Sequence, residues 1–112
     1  MTTPIAQQTA KVGANKGQPR VCLWNHRNLP AAGFHIGTPI DVTRIPGDGC
    51  ATQVVITIGD ETSRRKVSRV KNHGNVLPVI DLKGSVVADM GPRVLVEFFP
   101  GTIRITPEVG GE

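Results

Sequence analysis

The chain has 112 residues, of which 13 are basic and 9 acidic, so its formal net charge is +4 and its pI is about 9.6. This length supports one modest hydrophobic core rather than two. No apolar run reaches the roughly 20 residues that span a bilayer, and the N-terminus lacks the apolar core of a signal peptide. We therefore expect a soluble, cytoplasmic protein with no membrane association.

Frequent turn residues predict a mainly β fold, because 13 glycines and 9 prolines interrupt the chain. Residues 1–19 are polar and lack periodicity, which indicates a flexible basic arm. The next stretch, "RVCLW" at 20–24, predicts the first strand. Residues 26–33 have room for at most two helical turns, capped by Asn25 or Asn28 and ended by a glycine.

Two alternating segments follow, 38–45 and 52–58, and they predict a hairpin that closes at "PGDG", 46–49. Residues 59–75 then form a basic connector. Val67 and Val70 are its apolar residues, and they would allow a short extra strand there.

The second half of the chain repeats this order of elements. A strand is predicted at 76–82, a short helical turn at 83–91, and a hairpin of 93–99 with 102–106 about a Pro-Gly tip. The chain accordingly divides into an arm, a first unit, a connector, a second unit and a tail: 1–19, 20–58, 59–75, 76–106 and 107–112.

The two units align as an internal duplication. Residues 28–33 fall on 85–90, where each copy has a capping residue followed by apolar residues and a nearby glycine. Residues 40–47 fall on 94–101, and both end in a hydrophobic residue, proline and glycine. We interpret the match as one module present twice.

The connector contains a dense basic run, "RRKVSRVK" at 64–71, which holds five of the 13 basic residues and no acid. Such density is typical of surfaces that contact phosphate groups, because each neutralised phosphate releases a counterion. A solvated connector that only happens to be basic is the alternative. The residues are Arg64, Arg65, Lys66, Arg69 and Lys71.

No catalytic or metal-binding pattern stands out. Cys22 and Cys50 are isolated, which favours two reduced thiols, and with the scattered histidines they do not fit a closed zinc site. Asp81, Asp89 and Glu97 have no positioned partner from which acid–base catalysis can be argued. We therefore expect no enzyme activity, no metal and no cofactor.

Strand, short helix and hairpin, with a glycine after the helix, resemble the swapped-hairpin family of AbrB-like transcription factors and MazE-type antitoxins. "LPVIDLKGSVVADMGPRVLVEFFPGTIRIT", 77–106, is similar to the SymE-like branch through its "LKG" and its glycine-containing hairpin. "LPAAGFHIGTPIDV", 29–42, is similar to the same branch at the Ala-Gly-Phe that ends the helix. Each of these motifs is present in only one unit, whereas the family usually has one unit per chain and dimerises.

The resemblance implies that two β-α-β-β units form a single-chain pseudo-dimeric swapped-hairpin β-barrel, either monomeric or as a homodimer. In the family, basic residues of the strand-to-helix region meet DNA. The matching residues here are Arg20, Arg27 and Lys83.

Two classes of function follow from these patterns. The first is a nucleic-acid-binding protein, most simply an AbrB-like regulator of transcription on double-stranded DNA, with a SymE-like, RNA-directed toxin as the variant that acts on RNA. The second is a phage- or mobile-element-like inhibitor or adaptor that docks on a host protein through apolar residues. Its expected anchors are Phe34, Phe98 and Phe99.

Overall fold

The computed structural model describes residues 3–23, 25, 27–45, 52–88 and 90–108, which form ten β-strands, one α-helical turn and one 3-10 turn. The predicted mainly β class is therefore confirmed. Trp24, the turn expected at 46–49, Cys50, Asp89 and residues 109–112 lie outside the described residues. The elements are β1 (Ala6–Lys11), β2 (Gly13–Asn15), β3 (Gln18–Leu23), α1 (Asn28–Ala31), β4 (Pro39–Ile45), β5 (Gln53–Ile58), β6 (Arg65–Lys66), β7 (Ser68–Asn72), β8 (Asn75–Lys83), the 3-10 turn (Gly84–Val86), β9 (Arg93–Phe99) and β10 (Thr102–Pro107).

The strands form two antiparallel sheets. The six-stranded sheet has the order β1-β9-β10-β5-β4-β6, and the four-stranded sheet has the order β2-β3-β8-β7. Among the described residues, the two end strands of each sheet do not pair with each other. The closed barrel that we expected is therefore not found in this part of the chain. Each predicted hairpin is present, as β4 with β5 and as β9 with β10.

Counterpart strands of the two predicted units lie next to each other. The first strands, β3 and β8, pair antiparallel with Leu23 opposite Ile80. The last strands, β5 and β10, also pair antiparallel, with Val55 opposite Arg104. Each sheet therefore takes strands from both halves of the chain.

The core lies where the inward faces of these strands meet α1. Alternation along β9 and β10 sends every second side chain inward, as the period of two requires. The described core contains no buried polar or charged side chain. Its largest fully buried members are Phe34, Phe98, Leu23, Leu29, Ile40, Ile56, Leu82, Met90, Ile103 and Ile105.

The expected flexible arm is instead structured over most of its length. β1 takes an edge of the six-stranded sheet beside β9, with Ala6 opposite Phe98. β2 pairs with β3 through a turn at Lys16-Gly17, whose φ values of 54° and 78° fit a type I′ hairpin. The prediction failed because the inward-facing residues of β1, among them Ala6 and Ala10, are too small or polar to produce a hydrophobic period.

The predicted connector is also structured, because it contributes β6 and β7. Val67 is only 2% exposed and is an anchor as expected, whereas Val70 is 37% exposed. A turn at His73-Gly74, again with two positive φ values, joins β7 to β8. The expected tail begins inside the hairpin, since Pro107 belongs to β10.

The single turn of α1 is closed at both ends by local hydrogen bonds. Of the two expected caps, Asn25 is the one used: its Oδ1 accepts from the backbone N–H groups of Arg27 at 3.0 Å and Asn28 at 2.7 Å. At the other end Gly33 donates to Pro30 and Phe34 donates to Leu29 at 2.8 Å. This is the Schellman arrangement, in which the terminal glycine adopts a positive φ.

We expect Gly33→Ala to lower the free energy of unfolding more than Gly37→Ala. Both glycines have positive φ values, 97° and 87°, so an alanine at either position costs about 1–2 kcal/mol in backbone strain. An added Cβ at Gly33 would also lie 3.2 Å from Cδ1 of Ile58, whereas nothing lies within 4 Å of one at Gly37. Urea unfolding of both variants measures the difference, and equal losses would show that Ile58 moves aside without cost.

Candidate nucleic-acid interface

The basic run of the connector lies on two edge strands. β6 is the last strand of the six-stranded sheet and β7 the last of the four-stranded sheet. The five cationic side chains on and beside these strands are exposed, and none has an ion pair or side-chain hydrogen bond with another described residue. We call this set the connector cations: Arg64, Arg65, Lys66, Arg69 and Lys71.

Val67 explains how a short charged segment is held in place. Its side chain is buried in the core, its N–H donates to the carbonyl of Thr38 at 2.9 Å, and its carbonyl accepts from the N–H of Gly37 at 2.8 Å. With the backbone fixed on both sides of this residue, the flanking cationic side chains extend into solvent. The segment is therefore ordered by one apolar residue while its charges stay available.

Three other arginines of the described chain have partners within the protein. Nη1 of Arg44 donates to three backbone carbonyls, Arg93 pairs with Glu108 at 3.1 Å, and Arg104 pairs with Glu97 at 2.8 Å. None of these three arginines was predicted as a nucleic-acid contact, and each has a structural partner. These three arginines have hydrogen-bond or ion-pair partners within the protein, whereas the connector cations have none among the described residues.

Arg20 and Lys83 face each other on the outer side of the four-stranded sheet, where they are opposite residues of β3 and β8. Asp81 lies between them. Its carboxylate accepts from Nε of Arg20 at 2.9 Å and from Nη2 at 3.1 Å, and Nζ of Lys83 lies 3.6 Å away. Two predicted contacts are thus bound to one acid that the sequence reading left without a partner.

The surroundings of Asp81 favour its ionised form. Hydrogen bonds from Arg20 lower the pKa of the Asp81 carboxyl below its ordinary value, and the positive charges of Arg20 and Lys83 act in the same direction. The carboxylate is consequently ionised at neutral pH. The Asp81 set formed by these three side chains carries a net charge of one positive unit.

A groove of about 500 Å³ joins the outer faces of β3 and β8 to β7. It brings Arg20 and Asp81 together with Arg69 and Lys71, which are distant in sequence. A smaller groove of about 230 Å³ lies at the junction of the sheets, and it is lined by Arg65 and Lys66 as well as by Asp81. The two grooves share Asp81, and with Lys83 they gather six of the eight predicted residues.

The remaining two predicted residues lie elsewhere. Arg64 lines a third, shallow depression beside Asp41 and Ser63. Arg27 is exposed at the beginning of α1, and no described contact joins it to the others.

Cys22 lies in the large groove beside Asp81 and is a free, exposed thiol. Partial burial raises the pKa of the Cys22 thiol, and the negative charge of Asp81 acts in the same direction. The thiol is therefore mostly protonated at neutral pH, which argues against a nucleophilic role.

Two apolar anchors expected for a protein partner lie in the core. Phe34 and Phe98 are completely buried, so neither is available on the surface. Phe99 is half-buried, and the guanidinium of Arg104 lies 5.5 Å from the centre of its ring. Val70, within the basic run, and Val76, opposite Lys71 on β8, are exposed apolar residues beside the connector cations.

Compared with known proteins, the chain matches no family model, no curated protein and no solved structure. Within the described ranges, no helix is long and apolar enough to cross a membrane.

Proposed function

We propose that this protein binds nucleic acid, with double-stranded DNA favoured, through the connector cations on β6 and β7. The observation that carries the proposal is the division of the cationic side chains: Arg44, Arg93 and Arg104 are held by internal partners, while the connector cations have none among the described residues. Exposed cations concentrated on one part of a surface supply the counterion release that dominates affinity for nucleic acids.

Duplex DNA is favoured over single-stranded RNA because the described grooves contain no aromatic side chain. Proteins that bind single strands usually stack bases on aromatic rings. The three phenylalanines are buried or covered, and the large groove is lined by cationic and aliphatic side chains together with Asp81, Ser68 and Cys22. Such a surface suits the regular phosphate backbone of a duplex.

Reciprocal contacts between the two units support the proposed pseudo-dimer. Gly101, at the tip of the second hairpin, donates to the carbonyl of Ala32 at the end of α1 at 2.8 Å. Arg44, on the first hairpin, donates to carbonyls around the 3-10 turn of the second unit. Each hairpin thus contacts the helical turn of the other unit, as hairpins exchanged between two subunits would. On this basis we propose a single-chain relative of the AbrB-like regulators.

A protein partner is the second candidate, and one observation favours it. Val70 and Val76 are 37% and 48% exposed beside the free edge of β7. An extended segment added to that edge would lie beside Val70 and would bind with little dependence on salt. The dependence of binding on salt concentration therefore separates the two candidate functions.

We expect Arg64→Gln/Arg65→Gln to weaken binding to a random-sequence DNA duplex by about tenfold at low salt, because two phosphate contacts are lost. The slope of log affinity against log salt should fall by about 1–2 units. Fluorescence anisotropy at several salt concentrations, with single-stranded RNA in parallel, measures both quantities.

The matched control is Lys11→Gln/Lys16→Gln, which removes two exposed charges from β1 and the β2–β3 turn. It should change affinity by less than about threefold, since only the general field of the protein is reduced. Absence of duplex binding by the native protein at low salt would refute the proposal. Equal losses in the two double variants would place the interface elsewhere.

A further inference from the structure

The basic residues in and beside the large groove are only partly available to a ligand. Arg20 and Lys83 project from neighbouring strands, yet both are within ion-pair distance of Asp81. Across β8 the same groove is lined by Arg69 and Lys71, which have no described acidic partner. The groove lining therefore combines two cations of β7, unpaired among the described residues, with Arg20, which Asp81 already occupies, and Lys83 lies next to that pair.

We propose that Asp81 occupies the position of a phosphate group, holding Arg20 and Lys83 in an internal pair that a nucleic-acid phosphate must displace, and so limits the affinity of the groove for nucleic acid. This inference rests on the proposed function. It assigns a role to Asp81, an acid that the sequence analysis left without a partner.

The geometry of the pair supports this role. A carboxylate and a phosphate both accept two parallel hydrogen bonds from a guanidinium, and Nε and Nη2 of Arg20 make such a pair with the two oxygens of Asp81. A phosphate reaching the groove would therefore compete for the same donors. Because Asp81 remains ionised, it also repels the incoming phosphate while the pair is intact.

The exposure of the three side chains makes exchange feasible. The exposed fractions are 41% for Arg20, 27% for Asp81 and 54% for Lys83. Ion pairs this open to water are weak, so their rupture costs little when a better anionic partner is present. Asp81 and Lys83 alternate along β8 with the buried Ile80 and Leu82, so changes on the outer face leave the core intact.

We expect Asp81→Asn to increase affinity for a random-sequence DNA duplex by about three- to tenfold at low salt, because up to two further phosphate contacts become available. The log–log salt slope should become steeper by about 1–2 units. A mere loss of structure would lower affinity and would not steepen the slope.

The matched control is Glu97→Gln, which removes the same charge and releases Arg104 on the other sheet. It should change affinity by less than about twofold. In the Asp81→Asn background, adding Arg20→Gln should reverse most of the gain, because the released guanidinium is then absent.

The outcomes distinguish this inference from the proposed function. If the native protein binds the duplex and Asp81→Asn raises affinity no more than Glu97→Gln does, the role of Asp81 is wrong while nucleic-acid binding stands. If Arg20→Gln does not reverse the gain of Asp81→Asn, the released arginine is not the new phosphate contact and the inference fails. If neither the native protein nor Asp81→Asn binds at low salt, both proposals fail.

Discussion

Phe98→Ala should destabilise the protein by about 3–5 kcal/mol, whereas Phe99→Ala should cost only about 1 kcal/mol. Phe98 is completely buried, and it lies opposite Ala6 of β1 and Ile103 of β10. Its removal leaves a cavity shared by three strands. Phe99 is on the other face of β9, where it loses mainly the contact with Arg104.

Urea unfolding followed by circular dichroism measures both costs. Small domains have only about 5–15 kcal/mol of stability, so Phe98→Ala is expected to lose a large share of it. Phe98→Leu, at about 1–1.5 kcal/mol, keeps the comparison measurable if the alanine variant does not fold. A greater loss for Phe99→Ala than for Phe98→Ala would mean that β9 pairs one residue out of this register.

Arg44→Met should cost about 2–3 kcal/mol, which is large for a partly exposed position. Nη1 of Arg44 lies 3.0 Å from the carbonyl oxygens of Ser85 and Val86 and 2.8 Å from that of Ala88. Methionine keeps the aliphatic stem but removes the charged donor. The carbonyls that end the 3-10 turn then lose the side chain that joins them to the first hairpin.

Two variants and one local measurement test this explanation. Arg44→Lys should recover part of the loss, because an ammonium can still donate to some of the carbonyls. Arg93→Met breaks an exposed pair with Glu108 and should cost no more than about 1 kcal/mol. Hydrogen exchange of the Val87 N–H, which bonds to Gly84 across the turn, should accelerate in Arg44→Met. Unchanged exchange would contradict a role at this turn.

The sequence predicts those elements whose side chains alternate strongly. Val94, Val96 and Phe98 on β9, and Ile103 and Ile105 on β10, form an apolar period that local inspection detects. β1 has no such apolar period. Its place in the sheet depends on pairing with β9, a strand near the other end of the described chain. Local pattern is informative about a strand only when that strand supplies large apolar residues itself.

The candidate site also contains one part that the sequence predicts and one part that it does not. The density of the connector cations is a local property and was visible in the sequence. The partnership of Arg20 with Asp81 depends on the pairing of β3 with β8, which joins residues from the two halves of the chain. The placement of Lys83 two residues after Asp81 on one strand face was the single local signal for that set.

The pairing of counterpart strands has a consequence for the order in which the chain acquires its structure. During synthesis β1, β3 and β5 emerge long before β9, β8 and β10, the partners they pair with across the two halves. Neither sheet is complete until the second unit has left the ribosome. Folding then requires the closure of several long loops, which slows it relative to a protein of local contacts. The nascent first half consequently presents unpaired strand edges, and this is the stage at which a chaperone would matter most.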